Sequence, residues 1–126
     1  MHVKSASIVL PPSPFPGLTH RTLARNGDGL GTLSVWKQAI TPGNGTPLHR
    51  HDCDEVVVVL AGSGTVLVDG RELPFRTGDT LILPAESNHQ IVNSGAEELT
   101  VVATFGASPV LTATPDGQVM TLPWAS

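Results

Sequence analysis

Two stretches of this chain constrain its fold more than the rest of the sequence. The first reads GNGTPLHRHDCDEVVVVLAG at residues 43–62, and the second reads GDTLILPAESNHQIVN at residues 78–93. His49, His51 and Glu55 all fall at odd positions of the first stretch. Because successive side chains of an extended strand alternate between its two faces, we expect one strand to direct these three side chains toward a common point.

A fourth candidate ligand, His89, lies in the second stretch, where glycine and proline residues bound a separate predicted strand. Three neutral imidazoles and one carboxylate suit a divalent transition metal, and zinc, manganese, iron, nickel and cobalt all accept this set. Because protons compete with the metal for imidazole nitrogen, we expect metal affinity to fall as the pH drops through and below about 6. The predicted ligands are His49, His51, Glu55 and His89.

An isolated His-x-His pair is weak evidence, because such histidines also occur in surface loops where they bind nothing. Here the flanking residues match as well, and the two stretches resemble the two sequence motifs of the cupin family. Only 15 residues, Ser63 to Thr77, separate them. The matching positions are Gly43, His49, His51, Glu55 and Gly62 in the first stretch and Gly78, Pro84, His89 and Asn93 in the second.

The resemblance implies an all-β fold, the cupin-type double-stranded β-helix or jelly-roll barrel, and the local sequence agrees with it. Short β-branched runs alternate with turns, and the Asp69-Gly70 pair predicts a tight hairpin. We expect one cupin domain over residues 1–126, with an extended Pro-rich segment at 1–17, the barrel at 18–113 and a tail at 114–126. The predicted strands are 18–24, 32–41, 49–51, 55–61, 65–69, 71–75, 80–83, 89–93 and 99–105.

Composition excludes several classes of partner. The net charge is −4 and the seven basic residues are scattered, so we expect no nucleic-acid partner. The longest apolar run, residues 56–62, is far too short to span a bilayer, and residues 1–10 are too short for a signal-peptide core. With Cys53 as the single cysteine, an intrachain disulfide is impossible, and we expect a cytoplasmic protein.

A closer resemblance covers most of the chain, and it is to the plant auxin-binding protein family. That family is a dimeric cupin in which zinc receives the carboxylate of an indole acid. The resemblance implies a homodimer, a small organic acid as ligand, a pocket lined by Gln38, Thr46 and Pro47, and Trp124 as an aromatic cap, although Trp124 can equally be part of a plain docking tail. We do not expect the family's secretory signal, retrieval tail or disulfide to carry over to this chain, nor a secreted or endoplasmic-reticulum role. The similar stretches are residues 16–20, 35–38, 46–56, 88–90 and 93–95.

Other residues near the predicted site have two interpretations each. Cys53 falls at an odd position like the ligands, so it is either a proton donor or extra metal ligand whose thiol pKa is lowered, or a small buried residue. Glu86 stands where the cupin motif has glycine, which puts the loop shape in question; its carboxylate is either a base at the cavity mouth or an exposed loop group. His2 and His20 do not fit the ligand spacing and are expected to be ordinary surface histidines.

Three functions remain open. The first is a metal-anchored binding protein for a small, partly apolar carboxylate, which the shortage of acid-base side chains favours. The second is a metal-dependent enzyme, such as a dioxygenase, isomerase or lyase acting on a small organic acid, because four protein ligands leave two positions open on an octahedral ion. The third is a metal-stabilised structural module, for which a closed tetrahedral site without a cavity would be evidence. We expect Lys37 to face outward if Gln38 faces the cavity.

Overall fold

The computed structural model covers residues 1–126 and is built almost entirely of β-strands, which confirms the predicted all-β class. A single turn of 3-10 helix at Asn26–Asp28 interrupts them. Every predicted strand is present, with ends that differ by a residue or two. The strands are β1 Leu18–Ala24, β2 Ser34–Ile40, β3 Arg50–His51, β4 Glu55–Ala61, β5 Ser63–Val68, β6 Arg71–Arg76, β7 Thr80–Leu83, β8 His89–Val92, β9 Leu99–Phe105 and β10 Thr112–Ala113.

The strands form three antiparallel sheets that wrap around one core. The largest has the order β1-β2-β9-β4-β7, the second has the order β6-β5-β8, and β3 pairs with β10 in the third. Side chains at alternate positions face inward and form one cluster of 17 buried apolar residues. The buried cluster includes Trp36, Ile40, Val57, Val59, Leu81, Leu83 and Ile91.

The prediction that one strand carries His49, His51 and Glu55 was wrong. Residues 52–54 are not in a strand, so β3 and β4 are separate and belong to different sheets. His49 precedes β3 and forms an isolated bridge with His89 instead. The shared parity nevertheless predicted the right outcome, because all three side chains are buried on the inner side of the barrel.

The segments outside the strands differ in how firmly they are attached. Residues 1–10 are exposed throughout, and the chain contains no helix that is long and apolar enough to cross a membrane. The expected hairpin joins β5 to β6 through Asp69 and Gly70, which both have positive φ. At the other end of the chain, Trp124 is buried against the core. The C-terminal residues therefore close part of the barrel.

Candidate metal centre and cavity

The three candidate histidines are held in the same tautomer by backbone carbonyl groups. His49 Nδ1 lies 2.6 Å from the Pro47 oxygen, and His89 Nδ1 lies 3.1 Å from the Ser87 oxygen. His51 Nδ1 lies 3.1 Å from the oxygen of Leu111. Since a carbonyl oxygen only accepts, each Nδ1 carries the proton and each Nε2 keeps a free lone pair. A histidine that binds metal through one ring nitrogen typically donates the N–H of its other ring nitrogen in this way.

These lone pairs converge with one carboxylate. The ligand atoms of His49, His51 and His89 all lie within 4.8 Å of one another, and all three residues are buried. Glu55 Oε1 lies 3.1 Å from Nε2 of His89 and 3.5 Å from Nε2 of His51. Glu55 Oε1 and His89 Nε2 are both buried without a hydrogen-bond partner. Buried polar atoms rarely stay unpaired, so this arrangement fits a cation that the four residues share.

Backbone pairing brings the ligands together from distant parts of the chain. His49 and His89 exchange two backbone hydrogen bonds, of 3.0 and 2.8 Å. Pairing of β3 with β10 places Thr112 opposite His51, and β4 begins at Glu55. The centre therefore lies where the three sheets meet.

Burial shifts the imidazoles toward their neutral form. Desolvation and the neighbouring histidines lower the pKa of His49 and of His51 to about 4. Neutral imidazole is the form that binds metal, so the site is ready for a cation well below neutral pH. The lowered pKa values of these two rings favour metal binding to lower pH than free imidazole would, and the loss of affinity on acidification stays a prediction.

A small cavity adjoins the histidines, with a volume of about 40 Å³. The residues expected to line a ligand pocket, Gln38, Thr46, Pro47 and Trp124, all border it, and Lys37 is exposed on the outer face. The hydroxyl oxygen of Thr46 accepts a hydrogen bond of 3.0 Å from the Ile91 backbone N–H, which leaves its own proton available to donate. Sequence reasoning missed several other lining residues, which are Phe15, Leu18, Phe105, Thr112, Met120 and Leu122.

The C-terminal residues form one wall of this cavity. Thr22 donates a hydrogen bond to the Ala125 carbonyl, and Ser34 donates one of 2.6 Å to the backbone oxygen of Ser126. These bonds tie the end of the chain to β1 and β2. They keep Trp124 over the cavity, with its ring 6.2 Å from that of Phe15.

His20 is not a surface histidine, which corrects the expectation from the sequence. It is only 1% exposed and stacks on Trp124 at a centroid distance of 3.9 Å. Burial lowers its pKa to about 4. The missed signal was its even position beside Leu18, because both residues then share the inner face of β1.

The second interpretation holds for both Cys53 and Glu86. Cys53 is a buried free cysteine, and desolvation together with nearby carboxylates raises its thiol pKa to about 11, which favours the small buried residue over the activated donor. Glu86 adopts the left-handed φ of +68° that the cupin motif's glycine would adopt. Its carboxylate is exposed and lies 3.5 Å from Arg50 Nε, away from the cavity lining. A left-handed backbone is therefore present at this position without a glycine.

Two indole N–H groups beside the cavity have no acceptor. Trp36 and Trp124 both border the cavity and are 4% and 8% exposed. Nε1 of each is buried without a partner. A buried donor that lacks an acceptor costs about 1–3 kcal/mol.

The wrapped antiparallel sheets and the buried histidine triad define the class of protein, a small cupin barrel. A cupin-2 domain from Rhodospirillum rubrum is similar, with a TM-score of 0.71, 26% sequence identity, and coverage of 82% of this chain and 68% of that one. Within that class, the family model described as auxin binding protein matches residues 6–121. The chain therefore belongs to the auxin-binding protein family, as its sequence predicted.

Individual relatives support this assignment. Auxin-binding protein 1 of Arabidopsis thaliana is 37% identical over 105 residues, which cover 75% of this chain and 53% of that protein. The chain thus spans about half the length of the curated relatives it matches.

The chain is also similar to an enzyme. A 1-hydroxy-2-naphthoate 1,2-dioxygenase of a Nocardioides species is 27% identical over 103 residues, or 80% of this chain and 27% of the enzyme.

Proposed function

We propose that this protein binds a small, carboxylate-bearing and partly apolar molecule at a single divalent transition metal. The metal would be held by His49, His51, Glu55 and His89. The observation that carries the proposal is the convergence of three bare imidazole nitrogens on a buried carboxylate oxygen that has no hydrogen-bond donor. A metal in this position would act as a Lewis acid on an oxygen of the ligand.

Charge favours an anion as the ligand. One carboxylate against a divalent ion leaves about one unit of positive charge in a buried site, where it attracts an anion strongly. The unpaired indole N–H groups of Trp36 and Trp124 add two donors for acceptor oxygens. Apolar side chains make up much of the remaining wall, so the part of the ligand away from the carboxylate would be apolar. The apolar part of the wall includes Leu18, Ile91, Phe105 and Leu122.

The volume of the cavity limits the size of the ligand. At about 40 Å³ it is well below the roughly 300–1,000 Å³ of pockets for drug-sized molecules. An acid of a few heavy atoms fits this volume. A bicyclic acid requires the C-terminal wall to move outward, and that wall is Met120, Leu122 and Trp124. Small acids are therefore the first ligands to test.

Calorimetry tests the proposal directly. Metal-free protein is loaded with zinc or manganese and titrated with acetate, benzoate and indole-3-acetate. We expect heat of binding from at least one acid, and we expect it to disappear when a chelator removes the metal. His51→Ala removes a proposed metal ligand and is expected to abolish the binding. His2→Ala changes an exposed histidine and is the matched control, which is expected to bind as the wild type does. Equal binding with and without metal, or no binding of any acid, would refute the proposal.

A second candidate is a dioxygenase or another metal-dependent enzyme on a small organic acid. Similarity to the 1-hydroxy-2-naphthoate 1,2-dioxygenase favours it, as do the two positions that four protein ligands leave on an octahedral ion. Against it, the cavity lining offers few groups for proton transfer, and the chain contains no tyrosine. Oxygen consumption by iron-loaded protein with 1-hydroxy-2-naphthoate and with simpler aryl acids separates the two functions.

A purely structural metal site is less well supported, because a cavity adjoins the histidines.

We also propose a homodimer, formed through the outer face of the five-stranded sheet. Val56, Val58 and Leu60 of β4 alternate outward and are 39%, 39% and 47% exposed, and Ile82 beside them is 66% exposed. A contiguous exposed apolar strip of this kind is typical of a protein interface. Val58→Asp is expected to give a monomer in analytical ultracentrifugation. Leu73→Asp, on the other sheet, is the matched control and is expected to remain dimeric.

A cytoplasmic location is part of the same proposal. It is supported by Cys53, which is a free buried thiol and suits a reducing compartment. Fractionation of the source cells tests it, and recovery of the protein in a secreted or organelle fraction would contradict it.

A further inference from the structure

A second cavity, the outer groove, lies between β1 and the N-terminal segment. It is bordered by residues of the N-terminal segment between 4 and 11, by residues 21–23, by Arg25 and by residues 123–125. Its volume is about 600 Å³, within the roughly 300–1,000 Å³ of pockets that bind drug-sized molecules. Trp124 is the one residue that borders both the outer groove and the metal cavity. The two cavities are therefore separate and share a single wall.

Three basic side chains line the outer groove, and no acidic residue does. They are Lys4, Arg21 and Arg25, three of the seven basic residues of the chain. Asp28 offsets one of these charges, because its carboxylate lies 2.9 Å from Lys4 Nζ. The same oxygen accepts a hydrogen bond of 3.1 Å from the Arg25 backbone N–H. Three cations against one carboxylate leave about two positive charges at the groove of a chain whose net charge is −4.

Arg21 has no partner within the chain. Its Nη1 is buried and forms no hydrogen bond, and no carboxylate pairs with its guanidinium. Strand register also places it directly opposite Lys37 on β2, and like charges at opposed positions destabilise a sheet. A buried charged donor without an acceptor costs further free energy. This position therefore favours an anion that is not part of the chain.

The chemistry of the lining indicates which anion fits. A guanidinium binds phosphate or carboxylate oxygens through two parallel N–H donors. A phosphate monoester carries nearly two negative charges at pH 7, which match the two positive charges of the groove, whereas a carboxylate carries one. Apolar side chains form part of the same wall, so the substituent on the phosphate would be apolar. These side chains are Val9, Leu23, Pro123 and Trp124.

We propose that the outer groove is a second binding site, which takes a small organic phosphate monoester and requires no metal. Arg21 holds the phosphate, and Lys4 and Arg25 add positive charge beside it. The apolar substituent packs toward Leu23 and Trp124. The site lies at the edge strand of the five-stranded sheet, three strands away from β4, on which the proposed dimer contact lies. It goes beyond the proposed function, because it uses neither the metal centre nor its cavity.

Calorimetry with phenyl phosphate tests the proposal. Metal-free protein is used, so that no anion binds through a metal. Inorganic phosphate lacks the apolar ring and benzoate lacks the second charge, so we expect phenyl phosphate to bind about tenfold more tightly than either. No saturable binding of phenyl phosphate, or equal affinities for all three anions, would overturn the proposal. Neither result would affect the proposed function, which is tested on metal-loaded protein.

Variants of equal charge separate this site from general attraction. Arg21→Gln is expected to weaken phenyl phosphate binding about tenfold or more, because it removes charged donors. Arg21→Lys keeps the charge without the planar fork and is expected to restore only part of the affinity. Arg71→Gln is the matched control, since Arg71 is exposed on β6 and lies outside the groove. If it weakens binding as much as Arg21→Gln, binding follows net charge and the proposal is overturned.

Two further measurements locate the site and check the fold of the variant. Phenyl phosphate is expected to shift the backbone amide NMR signals of Leu23 and Ala125 and to leave those of His49 and His51 in place; the opposite pattern would overturn the proposal. Without ligand, Arg21→Gln is expected to be at least as stable in urea as the wild type, because it removes the like charge opposite Lys37. A marked loss of stability would show that the chain itself compensates Arg21, and would also overturn the proposal.

Discussion

His20 and Trp124 stack with their ring centroids 3.9 Å apart and their planes within 10° of parallel. The contact joins the first strand to the C-terminal residues, and Trp36 meets both rings edge-on. One face of the metal cavity is therefore built from residues near the two ends of the chain. The stack supports Trp124 where it lines the cavity.

Trp124→Ala is expected to loosen that wall. Deleting a large buried aromatic side chain costs about 3–5 kcal/mol, and the free energy of unfolding in urea is expected to fall by about that amount. The cavity also widens, so the affinity for indole-3-acetate is expected to rise relative to acetate. Val119→Ala is the control, because Val119 lies in the same segment but is 62% exposed. An unchanged ratio of the two affinities would show that Trp124 does not limit ligand size.

His89→Ala is expected to release most of the metal. It removes the ring nearest to Glu55 and also leaves that buried carboxylate without its neighbour at 3.1 Å. Metal content after dialysis, measured by atomic emission, provides the test. His20→Phe is the informative comparison: His20 is as buried as His89, but both of its ring nitrogens are occupied by protein groups. Full metal content in His89→Ala would exclude His89 as a ligand.

Glu86→Gly is expected to stabilise the protein by about 0.5–1 kcal/mol, because a left-handed φ costs a side-chain-bearing residue roughly 1–2 kcal/mol and glycine almost nothing. The lost contact with Arg50 is exposed and contributes little. Urea unfolding measures the change.

Asp69→Gly provides the contrast for that experiment. Asp69 also has a positive φ, of 47°, but its carboxylate accepts a hydrogen bond of 2.9 Å from the Asn88 backbone. We expect Asp69→Gly to be neutral or destabilising by about 1 kcal/mol. If both substitutions change stability equally, backbone strain at residue 86 is not the cause.

Metal-free protein is expected to lose stability between pH 7 and 5. His20, His49 and His51 have pKa values near 4 when folded and near 6.5 when unfolded. The unfolded state therefore binds more protons in this range, and stability decreases as the pH falls through 6.5 toward 4. The summed effect is on the order of 5 kcal/mol at pH 5. His20→Phe is expected to reduce the slope in a urea series, whereas a flat wild-type profile would contradict the lowered pKa values.

Much of the site could be predicted because its signals are local. Alternation along an extended chain placed His49, His51 and Glu55 on one side, and the glycine and proline spacing identified the fold around them. These properties depend on residues close together in the sequence. The predicted ligand positions were therefore right even though residues 52–54 are not in a strand and β3 and β4 belong to different sheets.

The tertiary structure alone decided how the site is tuned. The tautomer of His51 depends on the carbonyl of Leu111, and that of His20 depends on a Thr22 hydroxyl bound to Ala125. The pKa of His20 depends on burial beneath Trp124. Each of these contacts joins residues far apart in the sequence, and a hydrogen bond or a desolvated ring exists only once the sheets have closed around it. The sequence determined which atoms are able to bind a cation, and the closed barrel determined which of them remain free to do so.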